Sequence, residues 1–394
     1  MNSMADFRFQ GEIPGSKSIF NRALIVKSYF PVLDLQGHSD CDDVVHMREG
    51  LKEIRERSRI DCGEGGTTFR FMALRASRMR GVHTLEATPR LLQRPQKGLL
   101  DLLSQLGVQT QIKNREMFVV SEGWKRPRTP LKVNTSESSQ YASALILNCW
   151  LLDFDLEFEL VGDKVSESYF QLTVQMLKEL GMRMQVQGNK YLIPAGQRIS
   201  KLEYRVESDL SSAFTMASAG ALVGGAKLLN YPVKSSQPDG IFVEIFKQMN
   251  IETEMVEGAL CVKPCAGLRA VNWDLYQSPD LFPVLAVLCS WANGSSKLYN
   301  APHLAAKESN RIAKIADLFE RLGISHEVLP DGMIIHGNPQ QSLKKGITFD
   351  SDQDHRMVMA ATLMKLKGHD ITIENPEAIN KSFPEFWDMI GIKA

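Results

Sequence analysis

The chain has 394 residues, 43% of them hydrophobic and 23% charged, with 46 basic side chains balanced by 46 acidic ones. That length suits two or three domains with ample core, and the charge balance excludes a global field drawing the protein to nucleic acid or anionic lipid. Any anion site must then be a local cluster of cations and helix ends. The amino-terminal MNSMADFRFQ lacks an apolar leader core, and no apolar run approaches the roughly 20 residues that span a bilayer. A cytoplasmic protein with no membrane or nucleic-acid partner is the expectation. Six cysteines suit reduced thiols better than a disulfide framework, and Cys261 and Cys265 have no second Cys or His pair at metal spacing.

In chain order, the first informative segment is PGSKSIFNR at residues 14–22, a turn dipeptide that opens onto serines, a lysine, an asparagine and an arginine before apolar ALIV. It predicts a helix N-terminus, where free N–H groups and the positive end of the dipole attract an anion. Lys17 adds a point charge and Arg22 a planar fork suited to phosphate or carboxylate. Taken alone, the segment fits a capped surface helix with two solvated cations equally well.

More islands of the same kind follow. GEGGTTFRF (63–71) is a Gly-rich turn entering a helix, with Arg70 one turn in, and TPRLLQRP (88–95) supplies Arg90 and Arg94. SESSQYASA (136–144) and SDLSSAFTMA (208–217) are hydroxyl-rich helix starts. QSPDLFPVLAV (277–287) places Asp280 ahead of an apolar helix, where it reads first as an N-terminal cap. AKESNR (306–311), DHR (354–356) and KSFPEF (381–386) complete the set.

Between the islands runs an internal repeat. Four segments each show a helical apolar stripe, a Gly or Asn stop, an alternating strand, a tight turn and a second strand. The stripes end at Leu106, Leu180, Met249 and Leu322, which lie 74, 69 and 73 residues apart. The turns fall at Asn114, Gly188, Gly258 and Asp331-Gly332, and shorter echoes occur near Leu51 and Ile390. Six α/β units of roughly 70 residues are predicted.

Together and in this order, PGSKSIFNR, GEGGTTFRF, SSQ, KESNR, DHR and KSFP resemble the EPSP synthase family of enolpyruvyl transferases, from residue 14 to residue 386. The resemblance implies an inside-out α/β barrel of six βαβαββ repeats in two domains, with helix N-termini facing an active site in the cleft. The motifs place residues 16–207 in the first domain, on the shikimate 3-phosphate side. Residues 1–15 with 208–394 form the second, which carries the catalytic carboxylates. The first unit is short, because RERSRID passes directly to CGEGG where relatives carry an extra hairpin, and the fold is expected to survive that deletion.

The family moves the enolpyruvyl group of phosphoenolpyruvate onto the 5-hydroxyl of shikimate 3-phosphate, with no metal or organic cofactor. Carried over residue by residue, Asp280 matches the base, Glu308 the acid that protonates the donor carbon, and Lys17 a further catalytic group. Lys17, Gly66, Arg90, Arg311, Arg356 and Lys381 match the phosphoenolpyruvate site. Ser18, Arg22, Ser138, Ser139, Gln140, Ser166, Tyr169, Asp280 and Lys307 match the shikimate 3-phosphate site. His355 reads as support for the site rather than as a metal ligand. Gly66 matches the glycine that leaves room for glyphosate in sensitive relatives, so competitive inhibition by glyphosate is implied, and the protein is expected to be a monomer.

Four positions depart from the pattern: Asn310 for a usual Asp, Ala305 for Arg, Glu64 for Asn, and Phe71 for Pro. The related UDP-N-acetylglucosamine enolpyruvyl transferases usually carry a loop cysteine and pair Lys with Asn in the first motif, whereas this chain has SKSIFNR and arginines. A catalytically silent anion-binding homologue is the other alternative, and retention of Lys17, Asp280, Glu308 and Lys381 weighs against it.

Overall fold

The computed structural model describes residues 8–54 and 57–393. The amino-terminal MNSMADFRFQ therefore lies largely outside the described residues, as do residues 55–56 of the shortened first unit. The chain divides into two compact units, Met1–Pro14 with Glu207–Ala394, and Gly15–Val206.

In the Gly15–Val206 unit, three helices are buried on almost every side: Lys17–Tyr29, Gly66–Ser77 and Gln140–Leu147. Their sequences show why. ALIV, FMAL and ALIL carry no polar face, so the helices are stable only as a central bundle jacketed by other elements. The outer helices, including Lys97–Gln105 and Glu167–Glu179, are amphipathic and bury one side each, Gly98, Leu99, Leu102 and Leu103 in one, Phe170, Leu172, Thr173, Val174, Met176 and Leu177 in the other. In the other unit the central trio is Leu210–Val223, Phe282–Ser290 and His355–Leu366, again without a polar face. Phe242–Gln248, Arg311–Leu322 and Phe386–Ile390 pack outside it.

Among the described residues six small sheets complete the units, three in each. Four have four strands with one plan: a parallel pair, an antiparallel neighbour, and a hairpin strand at the edge. The hairpins are the four predicted ones, for example Gln109–Lys113 with Glu116–Glu122, and His326–Leu329 with Gly332–Gly337. The two weaker echoes are truncated copies: Asp34–Gln36 pairs only with Glu203–Arg205, and Ile347–Asp350 only with Ile371–Glu374. The first unit's sheet retains all four strands, Arg57–Asp61 included.

The helix stops follow their chemistry. Gly107, Gly181 and Gly323 take φ of 81°, 103° and 71°, and Asn250 takes 67°, the left-handed geometry that ends a helix and turns the chain into the next strand. The fold thus places six of the motif islands at the N-termini of the six central helices, each of which begins at a Ser-, Gly- or Asp-rich segment.

Candidate active site

In the Met1–Pro14 and Glu207–Ala394 unit, the three central helix N-termini meet around one ion network. Arg311 is 1% exposed and divides its guanidinium among three carboxylates: Nε donates to Asp354 Oδ2 at 2.9 Å, Nη1 to Asp280 Oδ1 at 2.8 Å, and Nη2 to Glu308 Oε2 at 2.8 Å. Arg356 bridges two helix starts by donating to Asp280 Oδ2 at 2.9 Å and Ser211 Oγ at 3.0 Å. Lys307 lies 3.5 Å from Asp280, and Lys381 lies 3.8 Å from Glu308. The residues that the motifs named in this unit therefore form one cluster.

Burial alone would raise the Asp280 carboxyl, but Arg356, Lys307 and Arg311 outweigh it and hold the group well below the usual carboxylate range. Burial would likewise lower Arg311, yet Asp354, Glu308 and Asp280 raise it instead. Asp280 makes no capping bond to its helix, so the N-cap reading gives way to an ion-pair role. Its partners come from 31 and 76 residues away, which local pattern cannot supply.

Two residues of this cluster carried no role in the sequence reading. Asp354 is fully buried, and besides Arg311 it accepts from Ser309 Oγ and from its own helix start at the Arg356 N–H, each at 2.9 Å. Neighbouring His355 is also buried, with Nδ1 3.7 Å from Asp354. His303, in the turn before Lys307, buries both ring nitrogens without a hydrogen-bond partner among the described residues. Burial first, then Lys307 and Arg311, push its pKa down to about 4 against the opposing pull of Asp280, so it stands neutral beside the network.

The Gly15–Val206 unit gathers a second set. Arg70 joins the Gly-rich turn to the SSQ segment: Nη1 donates to Gln140 Oε1 at 2.6 Å and Ser138 Oγ at 3.4 Å, Nη2 to Pro95 O at 3.1 Å, and its guanidinium lies 5.2 Å from the Tyr141 ring centroid. Gln140 Nε2 donates in turn to Thr67 Oγ1 at 3.1 Å. Ser139 stands at the N-cap position of the Gln140–Leu147 helix, and Ser166 at that of Glu167–Glu179, in left-handed geometry. Lys17 Nζ pairs with Asp43 at 3.0 Å.

Arg22 is 2% exposed and donates to Thr173 Oγ1, Ser18 O and Tyr169 O at 2.7, 2.7 and 3.2 Å. All three acceptors are neutral, and burial lowers its pKa to about 10, only partly opposed by the Tyr169 and Tyr204 phenols. A buried guanidinium with no carboxylate is costly unless an anion comes to it.

Of the two arginines in TPRLLQRP, Arg94 is the one set against Gly66. A Cβ on Gly66 would lie 3.1 Å from Arg94 Nη1 and 3.6 Å from Arg70 Nη1. Arg90 belongs to the preceding short helix, Pro89–Gln93.

The departures are locally accommodated. Asn310 caps the Arg311–Leu322 helix through Oδ1, which accepts from Ala313 N at 3.1 Å, a role Asn fills as well as Asp. Ala305 is exposed in a turn, and Phe71 is fully buried. Glu64 is half-buried in the turn before the Gly66–Ser77 helix.

The family model for EPSP synthase (3-phosphoshikimate 1-carboxyvinyltransferase) matches residues 35–390. A 3-phosphoshikimate 1-carboxyvinyltransferase of Syntrophobacter fumaroxidans is 30% identical over 98% of this chain and 97% of its own length. One of Methanococcoides burtonii is 33% identical over 84% of this chain and 77% of its own. The structure of EPSP synthase from Acinetobacter baumannii shares the fold, with a TM-score of 0.75 at 20% identity over 98% of this chain and 95% of that one. No described helix is long and apolar enough to cross a membrane. With a family model matched over most of its residues and a relative aligned over nearly its whole length, this chain belongs to the EPSP synthase family, the 3-phosphoshikimate 1-carboxyvinyltransferases.

Proposed function

We propose that Asp280 and Glu308 carry the proton transfers of the family's reaction, and that the cations and hydroxyls of the motifs hold its two anionic substrates. The chain has its family's activity: it transfers the enolpyruvyl group of phosphoenolpyruvate to shikimate 3-phosphate, releasing phosphate, in the shikimate route to chorismate and the aromatic amino acids. The observation that carries the assignment of roles is the network in which Arg311, Arg356, Lys307 and Lys381 converge on Asp280 and Glu308. Helix N-termini add further positive potential.

In this reading Asp280 takes the proton of the 5-hydroxyl as its oxygen bonds to the central carbon of phosphoenolpyruvate, and Glu308, having taken up a proton from solvent as the substrates bind, gives it to the methylene carbon. The resulting tetrahedral adduct then loses a proton from the new methyl group back to Glu308. The carbon–oxygen bond to phosphate breaks, and the departing phosphate takes the electron pair. A carboxylate held as low as Asp280 is a weak base. The anionic groups of phosphoenolpyruvate, by engaging Arg311 and Arg356, would weaken the attraction that holds Asp280 low.

Lys17, Arg90 and Lys381 complete the donor set, and Arg94 joins it on the strength of its contact with Gly66. Ser18, Arg22, Ser138, Ser139, Gln140, Ser166, Tyr169 and Lys307 hold shikimate 3-phosphate, with Arg22 taking an anionic group of that ligand. The protein acts as a cytoplasmic monomer, to be checked by light scattering on the purified sample. Phosphate release is expected only when both substrates are present, because the hydroxyl must be placed against the donor carbon before addition. Equal release with UDP-N-acetylglucosamine as acceptor would overturn the assignment.

Glyphosate is expected to compete with phosphoenolpyruvate. Gly66→Ala puts a methyl group 3.1 Å from Arg94 Nη1, so the guanidinium must shift by a few tenths of an ångström. Steady-state inhibition should show glyphosate weakened much more than the shorter phosphoenolpyruvate. Wild-type turnover untouched by millimolar glyphosate at low phosphoenolpyruvate would contradict this and point to Glu64 and Phe71.

A further inference from the structure

Phe71 stands where relatives usually have proline, and the structure gives it a specific neighbour. Its ring is fully buried in the Gly66–Ser77 helix, and the Arg22 guanidinium carbon lies over that ring, 5.3 Å from its centroid. Both residues belong to the Gly15–Val206 unit. Arg22 donates to three neutral oxygens and has no carboxylate partner among the described residues. A guanidinium has five N–H groups in a fixed plane, so two remain for a ligand, and their direction follows the plane of the fork. Thr173 Oγ1 and the carbonyls of Ser18 and Tyr169 fix the fork at its edge. The Phe71 ring adds a contact of a different kind, its face turned to the guanidinium carbon.

We propose that Phe71 is a positioning residue for the acceptor substrate, its aromatic face holding the buried Arg22 guanidinium in the plane that receives an anionic group of shikimate 3-phosphate. The inference rests on the assignment of Arg22 to that ligand. An aromatic face supplies the partial negative potential that the three neutral acceptors leave short, without a carboxylate that would compete with the incoming anion. A proline at this position offers no such face, so the substitution adds a contact rather than merely filling space.

Fluorinated phenylalanines of increasing fluorine content, incorporated at position 71, keep the shape of the ring while progressively removing the negative potential of its face. Calorimetric titration with shikimate 3-phosphate should show the Kd rising stepwise along the series, and Phe71→Leu should raise it roughly 3- to 30-fold. The KM for phosphoenolpyruvate and kcat at saturating acceptor should stay near wild type, a split that general loosening of the fold would not produce. An unchanged Kd along the fluorinated series overturns the inference while leaving the functional reading intact. Failure of the wild-type protein to bind shikimate 3-phosphate overturns both.

Discussion

Asp280→Asn and Glu308→Gln should each lower turnover by about a hundredfold or more, the scale of losing a positioned base or acid. Both substitutions nearly preserve shape. The amide oxygen that replaces a carboxylate oxygen of Asp280 could still accept from Arg311 or Arg356, the partners that now reach Asp280 at 2.8 and 2.9 Å, but the amide could not take the hydroxyl proton. The amide in place of Glu308 would likewise face Arg311 without an acidic proton to give. Binding of shikimate 3-phosphate should change much less than kcat, because most of its proposed contacts come from serines, Gln140 and Arg22. Single-turnover kinetics separate these quantities, and near-normal turnover in either variant would mean that the proton transfers belong to other residues.

The largest stability effect is expected at Asp354, which sequence reading passed over. Asp354→Asn should destabilise its unit by about 3–5 kcal/mol, the range for removing one partner from a buried ion pair. The site is 0% exposed, and four donors point at the carboxylate: Arg311 Nε and Nη2, Ser309 Oγ and the Arg356 N–H. An amide nitrogen placed among them would face donors with a donor, and Arg311 would keep only Asp280 and Glu308 as counter-ions. Those are the two groups that the mechanism requires to be free for proton transfer, so activity should fall as well. Denaturant unfolding measures the loss, and a midpoint within error of wild type would show that Arg311 does not depend on Asp354.

What was legible in the sequence follows from what is local. Helix stops at Gly107, Gly181, Asn250 and Gly323, and the hairpins that follow them, are set by residues within a few positions, so the repeat could be read directly. The six Ser-, Gly- and Asp-rich islands announced helix starts for the same reason. What could not be read were choices made by tertiary partners. Whether Asp280 caps its helix or pairs with arginines was decided by Arg311 and Arg356, and the approach of Arg94 to Gly66 by how the chain leaves the Pro89–Gln93 helix. Arg94 follows that helix in extended geometry, at φ −65° and ψ 154°, and so reaches Gly66. Likewise, Phe71 reads in the sequence only as a departure from proline, and its role depends on Arg22, which lies far from it along the chain.

The most direct measurement is proton NMR of the reaction run in deuterium oxide. Addition followed by elimination makes the donor methylene a methyl group for the lifetime of the adduct, with the added hydrogen drawn from Glu308 and hence from solvent. Wild-type enzyme should therefore yield product with deuterium in its vinyl group and one inorganic phosphate for each acceptor consumed, and Glu308→Gln should suppress incorporation and turnover together. Product formed at full rate with an unlabelled vinyl group would contradict the addition–elimination route and the role assigned to Glu308.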